Sequence, residues 1–183
     1  MLMESGKAGL LVIDVQSKLI PAMAESAALS ARIHWLVEAC HTLETPILFT
    51  EQYPRGLGHT EPSLLGLAPN AEVVEKTHFS AVAAQCLPTA WQEYEQFIVC
   101  GMEAHVCVLQ SVLELVGAGK QVFVVADAVG SRTEQNRELG LARMQAAGAH
   151  LVSREMVVFE LLHHAGHEHF KTISKRFLTG EQP

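Results

Sequence analysis

No stretch of the chain reaches the roughly 18 uncharged apolar residues that a membrane-spanning helix requires. No secretory signal is visible either: the first apolar run, Gly9 to Ile13, is too short for one and ends abruptly at Asp14. Positive charge is scarce, with 13 Lys and Arg against 20 Asp and Glu and a formal net charge of −7. That balance argues against a nucleic-acid partner, which calls for a basic face. The four cysteines, Cys40, Cys86, Cys100 and Cys107, form no C-x-x-C pair and no zinc-type spacing. They are expected as free thiols in a reduced, cytoplasmic setting. No G-x-G-x-x-G follows the first apolar run, and no G-x-x-x-x-G-K-[ST] or G-x-S-x-G occurs. Nucleotide-binding oxidoreductases, P-loop enzymes and serine hydrolases of the elbow type are thereby set aside.

What is present is ordinary globular material, 49% hydrophobic and 18% charged over 183 residues, enough for one domain with a real core. Repeats, low-complexity tracts and linkers are missing, so residues 1–183 read as a single domain. Short apolar runs recur at Gly9–Ile13, Pro46–Thr50, Ala71–Val74, Gln96–Gly101, Gln121–Ala126 and His150–Val152. The clearest are apolar on both faces, as in strands covered by helices on both sides. Helical spacing occupies about 28–44, 86–94, 104–118, 133–147 and 167–178. Gly117, Gly119 and Gly148 serve as stop signals, and Pro88 is tolerable only in a first turn. The alternation predicts an α/β protein, a three-layer α/β/α Rossmann-like fold around a mostly parallel six-stranded sheet.

Ligands of such sheets bind at the carboxyl ends of the strands. Asp14 follows the first run at once, Lys76 follows the third, and Cys107 sits where the fourth turns into a helix. The three are expected to converge on one edge. Cys107 is the natural nucleophile, with a thiol lowered by a helix N-terminus and by Lys76. Asp14 would accept its proton and later activate water, and backbone N–H groups before Cys107 would hold an oxyanion. Each residue has a plainer reading: a packed core thiol, a helix cap, a solvated lysine. Only their joint placement favours chemistry.

The segments Leu11–Gln16, Glu51–Gly58, Glu75–Ser80, Cys100–Val108, Val125–Arg132 and Val158–Leu161 resemble the isochorismatase-like hydrolase family. The resemblance runs from about residue 8 to about 177 and is nearest to the branch of isochorismatase domain-containing proteins, whose substrates are poorly defined. It implies a catalytic triad on Asp14, Lys76 and Cys107 and a cis peptide at Met102–Glu103. The amides of Glu103 and Cys107 would then form the oxyanion hole. It also implies a homo-oligomer, often with a neighbouring subunit closing the pocket. Nicotinamidases of the family carry Asp and His metal ligands after the second strand. Here that loop reads Glu51-Gln-Tyr-Pro-Arg-Gly-Leu-Gly-His59 and lacks them, so neither metal nor other cofactor is expected.

Tyr53 and Phe79 are expected as pocket walls, because small-ligand sites are mostly apolar. Gln16 and Met102, beside the strand ends, are placed with them. His78 and His105 flank the same region. The tract His163–His169 looks like a metal cluster, but Gly166 interrupts it and a turn or subunit contact suits it better. Asp127 is read as following the fifth strand and pairing with Arg132 in a structural loop. Cys40, Cys86, Cys100, Trp35 and Trp91 read as packing residues. The expected function is a cofactor-independent cysteine hydrolase acting on a small amide or related carbonyl compound through a covalent acyl intermediate. The competing reading is a catalytically silent interaction protein that keeps the fold.

Overall fold

Leu10 and Val12 of the first strand pack on one side, Leu11 and Ile13 on the other, and all four are fully buried. A strand sealed on both faces must lie inside a sheet with helices on either side. The computed structural model, which describes residues 1–179, has that architecture. Its strands are β1 (Ala8–Ile13), β2 (Ile47–Gln52), β3 (Glu72–Lys76), β4 (Gln96–Met102), β5 (Gln121–Gly130) and β6 (His150–Val152). They lie in the order β3-β2-β1-β4-β5-β6. All five pairings are parallel, so the sheet is wholly parallel where the sequence suggested mostly so.

The helices are α1 (Ser26–Thr42), α2 (Pro54–Leu57), α3 (Pro62–Leu67), α4 (Thr89–Gln92), α5 (Leu109–Gly117), α6 (Glu134–Ala146), α7 (Arg154–Leu162) and α8 (Phe170–Ile173). One core layer joins α1, α7 and α8 to the sheet through Ile33, Leu36, Val157, Leu161 and Ile173. The other joins α5 and α6 through Val112, Leu115, Leu141 and Met144. Among the described residues, no helix is long and apolar enough to cross a membrane.

Three expectations change. The helix expected over 86–94 shrinks to the single turn α4, with Pro88 capping it from outside. The helix expected over 104–118 opens with a π-helical turn, Ala104–Val108, before α5. Helix α7 has no counterpart in the periodicity reading, although Ser153 caps it by accepting from the Met156 N–H.

Asp127 does not follow β5 but lies within it. Val99 pairs with Val124 while Gly101 pairs with Val129, so β5 bulges between these points and turns Asp127 out of the ladder. Its carboxylate meets Arg154, with Nε 2.8 Å from Oδ2 and the backbone N–H 3.1 Å from Oδ1. Arg132 instead pairs with Glu103 at 2.6 Å. The expected Asp127–Arg132 pair is therefore replaced by two others.

The chain order reverses between β1 and β4: successive strands run outward from β1 on one side and from β4 on the other. That reversal leaves a crevice above the carboxyl ends of the two strands. Gly101 makes the junction possible. Its φ is +118°, and a β-carbon there would lie 2.1 Å from the Ile13 carbonyl oxygen. No L side chain fits such an approach.

Candidate active site

Asp14 leaves β1 with a left-handed backbone, φ +52°, a conformation a non-glycine residue keeps only when its surroundings hold it. It is fully buried. Its N–H donates to the Thr50 carbonyl at 3.1 Å and faces the Thr50 hydroxyl at 3.3 Å. The Thr50 hydroxyl in turn donates to Asp14 Oδ1 at 2.6 Å. Lys76, the last residue of β3, reaches across the end of β2 and donates from Nζ to Asp14 Oδ2 at 2.7 Å. Neither side chain of this pair has exposed surface.

A second set of bonds fixes the lysine. Gln52 Oε1 accepts from Lys76 Nζ at 2.8 Å, while Gln52 Nε2 donates to the Thr77 carbonyl at 2.8 Å. Gln16 locks Gln52 in place: its Oε1 accepts from the Gln52 N–H at 2.8 Å and its Nε2 donates to the Gln52 carbonyl at 3.0 Å. A buried ammonium satisfied by a carboxylate and an amide oxygen meets the demand that buried charge be paired and hydrogen-bonded.

Cys107 approaches from the other side of the reversal, in the π-helical turn after β4. The Met102–Glu103 peptide bond is cis. The Glu103 carbonyl accepts from the N–H groups of Val106 and Val108 at 3.0 and 3.2 Å, closing the turn that presents Cys107. Ser111 ties the turn to the loop after β3, donating to the Cys107 carbonyl at 2.7 Å and accepting from the Ala81 N–H at 3.0 Å. The thiol and the Asp14 carboxylate are near enough for each to shift the other's protonation.

The thiol is not lowered as the sequence suggested. Burial above all, and then the Asp14 charge, push Cys107 up to about 12, with Lys76 opposing. Burial also raises Asp14, against the pull of Lys76, Thr50 and Cys107. Both buried groups disfavour their anions, and the carboxylate near the thiol is an acceptor for its proton. Lys76 acts on both groups, lowering the carboxylate and opposing the rise of the thiol.

The structure thus brings Asp14, Lys76 and Cys107 together. It adds Thr50 and Gln52, which sequence reasoning missed. A signal existed: the two polar residues stand two apart at the end of a buried strand, hence on one face beside β1. The predicted pocket residues divide. Tyr53 is 55% exposed at φ +40° and lines a cleft of about 510 Å³ with Arg55, Lys76, Thr77 and His78. Its ring lies over Gly56, where a β-carbon would come within 2.6 Å. Phe79 is exposed nearby but outside that lining. Gln16 and Met102 are completely buried: Gln16 spends its amide on Gln52 and the Gly58 carbonyl, and Met102 sits in the apolar layer beneath α1. His105 turns to Ser131, at 2.9 Å.

The end of β2 and the loop after it do not suit a metal. Glu51 has both oxygens committed, Oε1 to the Thr60 N–H at 2.6 Å and Oε2 to His59 at 2.9 Å. Burial pushes its carboxyl up, but these bonds prevail and hold it low. The rings of His163, His164, His167 and His169 meet in succession, the first pair edge-to-face and the others tilted. Among the described residues no group of three or more His, Cys, Asp or Glu is arranged to hold a metal ion.

Comparison with known proteins agrees with this geometry. The mouse isochorismatase domain-containing protein 2A is 37% identical over 169 residues, covering 91% of this chain and 80% of its own. A structure of MAR1 ribonuclease from Caenorhabditis elegans superposes with a TM-score of 0.92 at 34% identity, covering 100% of this chain and 95% of that one. An octameric hydrolase of unknown specificity from Escherichia coli, the YcaC gene product, gives 0.82 at 26% identity, with 90% and 84% covered. YcaC from Pseudomonas aeruginosa, solved with hexane-2,5-diol and covalent acrylamide, gives 0.85 at 26%, with 97% and 92% covered. The isochorismatase domain itself matches residues 8–156, a span that holds both sides of the strand reversal and all three converging side chains, and the chain belongs to the isochorismatase family.

Proposed function

We propose that this chain is a cofactor-independent hydrolase that attacks a small amide or related carbonyl compound with Cys107. The observation that carries the reading is the buried Asp14 carboxylate, held by Lys76 at 2.7 Å and electrostatically coupled to the Cys107 thiol. A thiol as reluctant as this one is a poor nucleophile unless a base removes its proton as it attacks. Asp14 is that base.

The steps follow from the placement. Asp14 takes the Cys107 proton as sulfur bonds to the carbonyl carbon, and the carbonyl electrons move to oxygen. The N–H groups of Glu103 and Cys107 hold this oxyanion. On collapse the C–N bond breaks, the amine leaves with the proton from Asp14, and a thioester remains. Asp14 then deprotonates water, which attacks the thioester, releases the acid and returns the proton to sulfur. Lys76 keeps its charge throughout and restrains Asp14 from holding the proton too long. Amide and water become acid and amine.

The cleft of about 510 Å³ beside Lys76 has the size of small-ligand pockets, with Tyr53 as a wall. Phe79 stands with Tyr53 as a wall in this reading, whereas Gln16 serves by holding Gln52 and Met102 lies in the core layer under α1, so neither lines the cleft. The neighbour carrying covalent acrylamide supports a nucleophile in this fold that a compact electrophile can reach. The octameric neighbour supports a homo-oligomer, and the charge of −7 supports a small substrate rather than a nucleic acid. One domain spanning residues 1–183, at work in the cytoplasm, completes the reading.

The test is a panel of small amides and esters, with an RNA oligonucleotide beside it, run on wild type and Cys107→Ala. Release of ammonia or acid by the wild type alone supports the reading. RNA cleavage that survives Cys107→Ala, or wild-type inertness toward the whole panel, counts against it.

A further inference from the structure

We infer that Thr50 is a positioning residue for this reaction: its hydroxyl fixes the Asp14 carboxylate in the orientation that receives the Cys107 proton. The inference rests on the hydrolase reading above, and it concerns a residue with no exposed surface and no access to substrate.

The geometry is specific. A carboxylate with one oxygen bound to a lysine can still swing about its Cβ–Cγ bond. Here Lys76 holds Oδ2 at 2.7 Å and Thr50 holds Oδ1 at 2.6 Å, so the plane is clamped at both oxygens. The clamp extends to the backbone, because the Thr50 carbonyl and hydroxyl both face the Asp14 N–H, at 3.1 and 3.3 Å. Ile13 pairs with Thr50 in the β1–β2 register, so the hydroxyl sits where β1 ends and the chain enters its left-handed turn at φ +52°. The hydroxyl must donate to Oδ1, because a hydroxyl has one proton and a carboxylate none to offer.

The charged and titratable groups around Asp14 are few. Lys76 comes from β3 and Cys107 from the π-helical turn, and Glu103 acts on Cys107 from the same turn. The Cys86 thiol, in the loop after β3, feels both Asp14 and Lys76. Thr50 supplies the neutral hydrogen bond to the carboxylate from β2. Removing it lets burial dominate further, so Asp14 holds its proton to higher pH. The acid limb of Cys107 reactivity then moves upward, a shift that loss of packing alone does not produce.

The experiment uses the full chain and acrylamide as the probe, with modification of the Cys107 peptide followed by mass spectrometry across pH. For Thr50→Val, which keeps the shape and loses the hydroxyl, the acid limb rises by about one pH unit and the plateau rate falls roughly tenfold. Thr50→Ser restores both to within about twofold of wild type, as the retained hydroxyl requires. Should Thr50→Val not fold, as judged by its thermal melt, the smaller Thr50→Ala makes the same measurement. A wild-type profile in Thr50→Val, or no recovery in Thr50→Ser, overturns the positioning role. Asp14→Asn separates the two levels. If it slows Cys107 while Thr50→Val does not, the Thr50 inference alone fails; if it changes nothing, the hydrolase reading fails and takes Thr50 with it.

Discussion

Two thiols of this protein are equally reluctant to ionise, for different reasons. Cys40 lies in the core layer under α1, fully buried among apolar neighbours, and burial alone pushes it up to about 12. Cys107 lies in the layer under α5 and is also pushed up to about 12, but there the Asp14 carboxylate adds to burial and Lys76 opposes it. The same reluctance therefore has opposite meanings. Among the described residues no charged group acts on Cys40, and the thiol is a small hydrophobe. Around Cys107 the group that raises the thiol is the group that can accept its proton. Local acidity does not distinguish these two thiols; the nearby carboxylate does.

The comparison breaks most sharply at Asp14. Asp14→Asn keeps the shape and removes the acceptor, so Cys107 should become as inert as Cys40. Acrylamide modification of Cys107 is expected to fall by roughly 10²–10⁴, the usual contribution of a general base, as read by peptide mass spectrometry. Cys40, unreactive at the outset, should stay so. A Cys107 rate unchanged in Asp14→Asn would show that the two thiols differ for some other reason.

Lys76→Met acts one step back. The unpaired buried carboxylate takes up a proton more readily, because the lysine charge that opposed its burial is gone. Asp14 already lies above the ordinary 3.8 of a carboxyl, so wild-type Cys107 reactivity should fall on acidification at a pH above that value. In Lys76→Met the fall should come at still higher pH, and the chain should lose about 3 kcal/mol of stability, the lower range for removing one partner of a buried pair. A rate–pH titration and a urea melt check the two expectations. An acid limb that moves downward would contradict the role given to Lys76.

The sheet was legible in the sequence, and so were the three side chains at its edge, because short runs apolar on both faces admit few arrangements. What stayed hidden depends on the third dimension. The bulge in β5 that sends Asp127 to Arg154 leaves no mark in periodicity. Helix α7 escaped because Arg154-Glu-Met-Val-Val-Phe-Glu-Leu-Leu162 reads as an apolar run with adjacent β-branched residues; the Ser153 cap was its only clear sign. The direction of the Cys107 shift was misread because helix position and a nearby lysine are visible in a sequence, whereas burial is not. The sequence ends the second strand at Thr50 and leaves Gln52 in the following loop, whereas β2 runs to Gln52 and a spacing of two brings both side chains to the Asp14–Lys76 pair.

The smallest effect comes from the other member of the comparison. Cys40→Ala removes one sulfur atom from a fully buried site, leaving a void about the size of a methyl group. That should cost about 1 kcal/mol, as for other single-group deletions in a packed core, seen as a modest drop in the thermal midpoint. The acrylamide rate of Cys107 and its pH profile should not move, because the six-stranded sheet separates the two core layers and Cys40 shares no hydrogen bond with the Asp14 network. Cys100, whose thiol is raised by burial and then by Cys40, is the neighbour that should respond. If Cys40→Ala altered Cys107 instead, the two layers would be coupled through the strand reversal at Gly101, where β4 crowds the backbone of Ile13 just before Asp14. The difference between the thiols would then belong to the sheet rather than to the presence of a base.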